Sequence, residues 1–139
     1  MTLDPEIEAK VRASFARQSL MTTLGAEIAD LGPGSVLITA PILAISQQQH
    51  GAAHAGLAFS IGDTAAGYAA LTLFPPEAEV MTVEMKISLL RPATGERLLA
   101  EGSVVKPGRR VSFVRAEIHA ETGQDRRHVA TLQGTMIPV

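Results

Sequence analysis

The feature that most constrains the fold of this chain is a long apolar stretch, from about Ala55 to Phe74, in which Asp63 is the single charged residue. Two prolines follow the stretch directly, and proline cannot continue a helix because it lacks the N–H donor. No Lys or Arg flanks the stretch, and three glycines lie within it. We therefore predict a buried central helix over residues 54–74 rather than a membrane span.

Asp63 has no counter-charge within reach along this helix. The positions one turn to either side, 59, 60, 66 and 67, hold Phe, Ser, Ala and Gly. A carboxylate in apolar surroundings must find a partner, shift its pKa or take part in chemistry. Asp63 is therefore the first candidate for a functional residue; the alternative is a solvated acid on a helix face.

The loop before this helix is rich in amide and imidazole groups, among them Gln48, His50 and His54. If His54 opens the helix, Asp63 lies on the opposite side of it and roughly 13 Å further along the axis. Side chains so placed cannot act on one substrate within one chain. We expect either separate roles or a site shared between two copies in a symmetric dimer.

His54 has a structural alternative to proton transfer, namely bracing the loop through hydrogen bonds. His50 and His54 are four residues apart, as in some zinc sites, but Gly51 lies between them and no acid is near. We therefore predict no metal site.

Composition excludes several classes of protein. The chain has 139 residues, of which 46% are hydrophobic and 19% charged, so it is globular rather than disordered. The net charge of −2 argues against nucleic acid as a partner, and the absence of cysteine excludes disulfides and thiolate chemistry. No basic segment opens the chain, so we expect no secretory signal. We predict one domain over residues 1–139, located in the cytoplasm and not in a membrane.

The other elements follow from local signals. Asp4 and Pro5 are typical of a helix start and predict an N-terminal helix within residues 1–20. Residues 26–39 have the pattern of a hairpin around a Gly-Pro-Gly-Ser turn. After the two prolines, apolar residues recur at every second position, which is the pattern of half-buried strands. This pattern predicts four strands, over residues 81–89, 97–105, 110–120 and 128–137.

Short turns between these strands imply antiparallel neighbours, so the predicted class is α+β, with one curved antiparallel sheet wrapped around the central helix. In the first of the four strands Thr82 falls on the polar face, together with Glu84. Met81, Met85 and Phe113 are interpreted as core or as lining of a substrate pocket.

Several of these residues together resemble a known family. Gln48, His54 and Asp63 stand six and nine residues apart, His54-Ala55-Gly56 opens the helix, and Gly108-Arg109-Arg110 precedes a strand. The set is similar to the hotdog-fold acyl-CoA thioesterases of the PaaI-like (phenylacetate-pathway) type, over residue 25 to the end. That family usually has Gly where Ala55 stands, and Asn where Gln48 stands.

The resemblance implies the hotdog fold and hydrolysis of an acyl-CoA thioester to a free acid and coenzyme A. Asp63 would be the nucleophile or general base, and the amide of Ala55 would stabilise negative charge on the thioester oxygen. Gln48 would orient water or the acyl group from the chain that does not supply Asp63. His54 and Thr82 complete the implied catalytic set, with Thr82 positioning the water.

The resemblance also implies how the substrate is held. Gly56 would lie at the substrate, and the basic residues Arg91, Lys106, Arg109 and Arg110 would bind the phosphates of coenzyme A; the alternative is that they are ordinary solvated turn residues. Self-association is expected as a homodimer and, by resemblance, a homotetramer built as a dimer of dimers. No metal or redox cofactor is implied, because coenzyme A enters as part of the substrate.

Two other functions compete with hydrolysis. A non-catalytic acyl-CoA-binding or sensor module would keep the fold and the basic residues but would need no acid on the helix. A hotdog-fold dehydratase or hydratase would need a His and an acid arranged to move one proton. Asp63, which follows a His-Ala-Gly loop, favours hydrolysis.

Overall fold

The computed structural model describes residues 2–139, so Met1, which the predicted N-terminal helix and domain included, lies outside the described residues. In chain order the elements are α1 (Pro5–Ala16), α2 (Ser19–Leu24), β1 (Glu27–Gly32), β2 (Ser35–Pro41), a single 3₁₀ turn (Ala44–Ser46), α3 (Ala55–Leu71), β3 (Val80–Leu89), β4 (Arg97–Lys106), β5 (Ser112–Thr122) and β6 (Asp125–Pro138). The hairpin, the central helix and the four later strands were all predicted.

The strands form one antiparallel sheet in the order β1-β2-β4-β5-β6-β3. Its concave face wraps around α3, which is the α+β hotdog arrangement expected from the resemblance. One inference about neighbours was wrong: β3 and β4 are joined by a short segment, yet β5 and β6 lie between them. The segment crosses the end of the sheet beneath the start of α3, where Ala53 N–H donates to Ala93 O at 2.8 Å.

Helix α3 is apolar on nearly all sides because it is enclosed on nearly all sides. Its alanines and glycines let the sheet come close: a Cβ added to Gly102 of β4 would lie 2.3 Å from the carbonyl carbon of Ala65. Around this contact Ile61 and Leu71 pack against buried aliphatic side chains of the strands. Among residues 2–139 no helix is long and apolar enough to cross a membrane.

Helix α3 ends three residues before the predicted boundary. The carbonyls of Ala70 and Leu71 accept from the N–H groups of Leu73 and Phe74, so the chain tightens into i→i+3 turns. The hydroxyl of Thr72 donates to Ala69 O at 2.7 Å. These turns, and not the following prolines, end the helix.

The N-terminal helix differs from its prediction in one respect. Asp4 caps α1 by accepting from Glu6 N–H at 2.8 Å, as expected, but α1 stops at Ala16. Gln18 is extended, with φ −84° and ψ 99°, and precedes the separate short helix α2, which was not predicted. The break turns the Gln18 side chain toward α3, where it bonds to Tyr68. This tertiary contact is invisible in the local sequence.

A β-bulge breaks the alternation predicted for β3. The register with β6 shifts between Thr82 and Glu84. Thr82 pairs with the buried Met136, so Thr82 faces α3, whereas Glu84 on the far side of the bulge faces outward. The sequence placed Thr82 and Glu84 on one polar face, and that assignment was wrong. A strict alternation of faces assumes that no extra residue is inserted in the strand, whereas the bulge inserts one between them.

Two apolar residues interpreted as core or pocket lining are exposed. Met81, beside the bulge, is 57% exposed, and Phe113 at the start of β5 is 49% exposed. Met85 is partly buried against the core, as interpreted.

The contact between Gly102 and Ala65 gives a test of the fold. We expect Gly102→Ala to lower the free energy of unfolding by about 3 kcal/mol, because the new methyl meets helix backbone that can move only by repacking α3. Gly32→Ala is the matched control: its Cβ would meet nothing within 4 Å, so a change of about 0.5 kcal/mol or less is expected. Urea denaturation measures both; equal midpoints would show that α3 is not held against β4.

Candidate functional site

Two cavities lie beside α3, and each is also lined by residues of β3. The larger, about 580 Å³, lies at the N-terminal end of the helix and is lined by the preceding loop and the segment after β3. The smaller, about 140 Å³, lies beside Asp63 and the first part of β3. The two cavities share no lining residue. We refer to them as the loop cavity and the Asp63 cavity.

His54 caps α3 and lines the loop cavity. Its Nδ1 accepts from Gly56 N–H at 2.7 Å, and its own backbone N–H donates to Ser46 O at 2.8 Å. Because Nδ1 is the acceptor, the neutral imidazole carries its proton on Nε2. His54 therefore braces the loop, which was one of its two predicted roles, and keeps a donor available.

The first two N–H groups of α3 differ in whether they are hydrogen-bonded. The Gly56 N–H donates to His54, so it is not available to a ligand. Gly56 was predicted to lie at the substrate, but its backbone N–H cannot bind the substrate in this arrangement. Ala55 N–H donates to no acceptor among residues 2–139, and Ala55 lines the loop cavity. An unpaired N–H at a helix N-terminus attracts negative charge.

Gln48 is held in a tight turn at the mouth of the loop cavity. Its N–H donates to Ala52 O at 2.9 Å, its carbonyl accepts from Gly51 N–H at 3.1 Å, and its side-chain oxygen accepts from His50 N–H. The side-chain NH₂ group remains for a ligand. Gln49 lines the same cavity but is more exposed than Gln48.

Asp63 is partly buried and has one hydrogen-bond partner. Thr82 Oγ1 donates to Asp63 Oδ1 at 2.8 Å, whereas Oδ2 accepts no hydrogen bond from residues 2–139. Burial raises the pKa of the Asp63 carboxyl above 3.8, and the hydrogen bond from Thr82 opposes part of that rise. Within residues 2–139 no Lys or Arg forms an ion pair with Asp63. The outcome is a carboxyl held by one oxygen and free at the other.

The predicted catalytic residues form two groups within one chain. Gln48, His54 and Ala55 lie at the loop cavity, and Asp63 with Thr82 lies at the other. Nine helical residues separate His54 from Asp63, roughly 13 Å along the axis. The separation predicted from the sequence is therefore present.

The predicted phosphate-binding residues are also divided. Arg91 lines the loop cavity and donates to His128 O at 2.7 Å. Lys106, Arg109 and Arg110 lie in and before the β4–β5 loop, and Arg109 lines a third cavity at the C-terminal end of α3. All four are exposed. One chain does not bring them to one place.

Sequence reasoning did not connect Tyr68, one turn past Asp63 on the helix, with Gln18 and Ser14. Tyr68, 3% exposed, receives a hydrogen bond from Gln18 Nε2 at 2.8 Å, and its hydroxyl lies 2.9 Å from Ser14 Oγ. Gln18 and Tyr68 both line the cavity. No local pattern links residues so far apart in sequence. Among residues 2–139 no three His, Asp or Glu side chains are grouped so that they could hold a metal ion.

The hydrogen bond between Thr82 and Asp63 gives a test of the site geometry. In Thr82→Val the donor is lost while burial persists, so the pKa of Asp63 should rise above its wild-type value. Thr135→Val is the matched control, since Thr135 donates to the Glu84 carboxylate at 2.6 Å on the outer face of the sheet. Titration of the side-chain carboxyl carbons by NMR measures the effect. An Asp63 pKa unchanged in Thr82→Val would contradict this geometry.

Comparison with known proteins identifies the family of the chain. The sequence pattern of the thioesterase superfamily matches residues 50–126. A Halobacterium salinarum protein whose name places it among the esterases is 34% identical over 122 residues, covering 84% of this chain and 79% of its own. A thioesterase family protein from Silicibacter pomeroyi is 44% identical, with a TM-score of 0.93 over 96% of this chain and 98% of that one.

The PaaI protein from the phenylacetic acid degradation operon of E. coli has the same fold, with a TM-score of 0.88 over 99% of this chain and 96% of that one at 23% identity. The superfamily match spans more than half of the chain and begins in the loop that carries His50 and His54. The chain therefore belongs to the thioesterase superfamily and is a hydrolase of the hotdog-fold thioesterase type.

Proposed function

We propose that this protein is an acyl-CoA thioesterase that hydrolyses an acyl-CoA to a free acid and coenzyme A, with Asp63 as nucleophile or general base. The observation that carries the proposal is the state of Asp63: partly buried, without a cationic partner, fixed at one oxygen by Thr82 and free at the other. A raised pKa makes the ionised carboxylate a stronger base.

Both roles of Asp63 give balanced reactions. As a general base, it takes a proton from water as the water oxygen attacks the thioester carbonyl carbon, and the C–S bond then breaks as the thiolate of coenzyme A takes up the proton. As a nucleophile, it forms a mixed anhydride and releases the thiolate, and water then cleaves the anhydride. Water is the only co-reactant in both schemes, so neither needs a redox cofactor, and neither scheme uses a metal ion.

The complete site requires two copies of the chain. β3 ends the sheet and pairs only with β6 among residues 2–139, and Met81, Val83 and Leu89 on it are each more than half exposed. An unpaired apolar edge of this length is suited to pairing with another strand. A two-fold axis near the middle of β3 would join it antiparallel to its copy and extend the sheet across a homodimer.

Such pairing brings the two halves of the site together. The Leu89 end of β3 borders the loop cavity, and its Val80 end borders the Asp63 cavity. Antiparallel pairing about a two-fold axis sets each end against the opposite end of the partner strand. Gln48, His54 and Ala55 of one protomer would then face Asp63 of the other. Each dimer would hold two equivalent sites.

In this composite site the N-terminus of α3 binds the thioester oxygen. The unpaired N–H of Ala55 and the positive end of the helix dipole would stabilise the negative charge that develops on that oxygen. The Nε2–H of His54 supplies a second donor at the same cavity, and the free amide of Gln48 orients the acyl group or the water.

The same pairing would bring the basic residues together for the phosphates of coenzyme A. Ser112, at the β4–β5 loop, pairs with Met136, and Met136 pairs with Thr82. The loop with Lys106, Arg109 and Arg110 therefore lies at the Asp63 end of the sheet, which the dimer sets near Arg91 of the partner. We propose the dimer as the minimal active unit and, by resemblance, a dimer of dimers as the full assembly.

Replacement of the proposed base tests the reaction. Asp63→Asn should lower the rate of free-thiol release from a panel of acyl-CoA substrates by about 10²–10⁴-fold, because the amide can neither accept the proton nor attack. Asp125→Asn, the same change in the exposed β5–β6 turn, should leave the rate unchanged. Sedimentation confirms that assembly is intact. Equal rates in wild type and Asp63→Asn would refute this mechanism, and tight acyl-CoA binding without turnover in wild type would favour the binding module.

Mixed dimers test whether the sites are shared. Ala55→Pro removes the proposed oxyanion donor at a position where proline suits a helix start, and His54 before it is already extended. We expect Ala55→Pro and Asp63→Asn each to be inactive alone. After unfolding and refolding together in equal amounts, half of the dimers are mixed and each has one intact site, so about a quarter of wild-type activity should return. No recovery in verified mixed dimers would mean that each site lies within one chain.

A further inference from the structure

The Asp63 cavity contains a built polar group that the proposed reaction does not use. Gln18, from the break between α1 and α2, reaches across to Tyr68 on α3, and Ser14 of α1 holds the same hydroxyl. Gln18 and Tyr68 line the cavity in which Asp63 and Thr82 lie. We propose that this group selects the acyl chain: the cavity takes a short acyl group that carries a hydroxyl or another hydrogen-bonding substituent, recognised by the side-chain amide of Gln18. The inference rests on the proposed thioesterase function.

The Gln18 amide has hydrogen-bonding capacity left after it has bound Tyr68. A primary amide offers one carbonyl and two N–H groups, and the Gln18 side chain makes only the bond to Tyr68 among residues 2–139. The hydroxyl of Tyr68 is engaged by both Gln18 and Ser14, so this fixes the amide in place. The remaining end of the amide is left for a polar group on the acyl chain.

The volume of the cavity limits the length of that chain. The Asp63 cavity has a volume of about 140 Å³, against about 580 Å³ for the loop cavity, so it suits a short acyl group. Asp63 and Tyr68 are five residues apart on α3, roughly 7.5 Å along the axis. A thioester carbon placed at Asp63 would therefore put atoms a few bonds further along the acyl chain within reach of Gln18.

The rest of the wall is formed by Gly67, Val80, Met136 and Thr64. The hydroxyl of Thr64 is already used, because it donates to Ser60 O at 2.8 Å. Gly67 leaves space next to Met136, whose Cε would lie 3.6 Å from an added Cβ, and Val80 closes the side toward β3. An unsubstituted alkyl chain would fit these walls but would strip water from the Gln18 amide without replacing it. A buried polar group left unpaired is what gives sites of this kind their selectivity.

Two matched substrate pairs test the proposal: butyryl-CoA with 3-hydroxybutyryl-CoA, and hexanoyl-CoA with 6-hydroxyhexanoyl-CoA, which bracket the reach to Gln18. We expect wild type to prefer the hydroxylated member of at least one pair by about tenfold or more in kcat/KM. Gln18→Leu, similar in size but apolar, should abolish the preference by lowering kcat/KM for the hydroxylated member. Gln124→Leu, the same change in an exposed turn, should keep the wild-type ratio.

Each outcome of this test either supports or overturns the proposed selectivity. A ratio near one in wild type for both pairs, or an equal preference in wild type and Gln18→Leu, overturns the proposal. If Gln18→Leu does not fold, Tyr68→Phe, which removes the hydroxyl that fixes the amide, must lower the ratio for the proposal to stand.

The proposed function and the proposed selectivity fail separately. Absence of thiol release from every substrate would refute the thioesterase, and the selectivity would then be read from the dissociation constants of the same pairs by calorimetry. Wild type should then bind the hydroxylated member of at least one pair about tenfold or more tightly than the unsubstituted member, and Gln18→Leu should lose this difference. Hydrolysis without a difference between paired substrates refutes only the selectivity.

Discussion

The concave face of the sheet closes on α3 because small residues stand where the two come nearest. At Gly102 the strand lies so close to the helix backbone that no Cβ fits, and the facing residue of α3 is Ala65. Larger side chains in these places would hold the helix away from the sheet and open the interior to water. Close packing is therefore what places a carboxyl of α3 in poorly solvated surroundings, and the pKa of Asp63 rises in consequence.

Two local irregularities in the secondary structure turn polar side chains toward Asp63. The bulge in β3 turns Thr82 inward, and so gives Asp63 its one donor. The break after α1 turns Gln18 inward, and so adds a polar group to the same cavity. In both places a regular element would have pointed the side chain elsewhere, which agrees with the frequent association of bulges with functional sites.

The exposed edge strand β3 is the element through which two copies of the chain would form the proposed active sites. Because both lie on one continuous helix, the N-terminus of α3 and Asp63 stay roughly 13 Å apart however the loops move. A second copy paired along β3 would supply the missing half of each site. An exposed apolar edge, which favours aggregation in a monomer, would thus become the element that completes the enzyme.

The sequence by itself determined the elements other than α2 and the 3₁₀ turn, and the lack of a charge near Asp63 along its helix. These follow from local signals: a proline or a cap at a helix end, the apolar period, and the residues one turn away. It also determined that His54 and Asp63 are far apart, since helix geometry fixes that distance. Tertiary structure decided the neighbours of β3 and β4, the face of Thr82, and the contact between Gln18 and Tyr68. Those features depend on which distant segments pack together, and the free energy of that packing is not present in any local stretch of the chain.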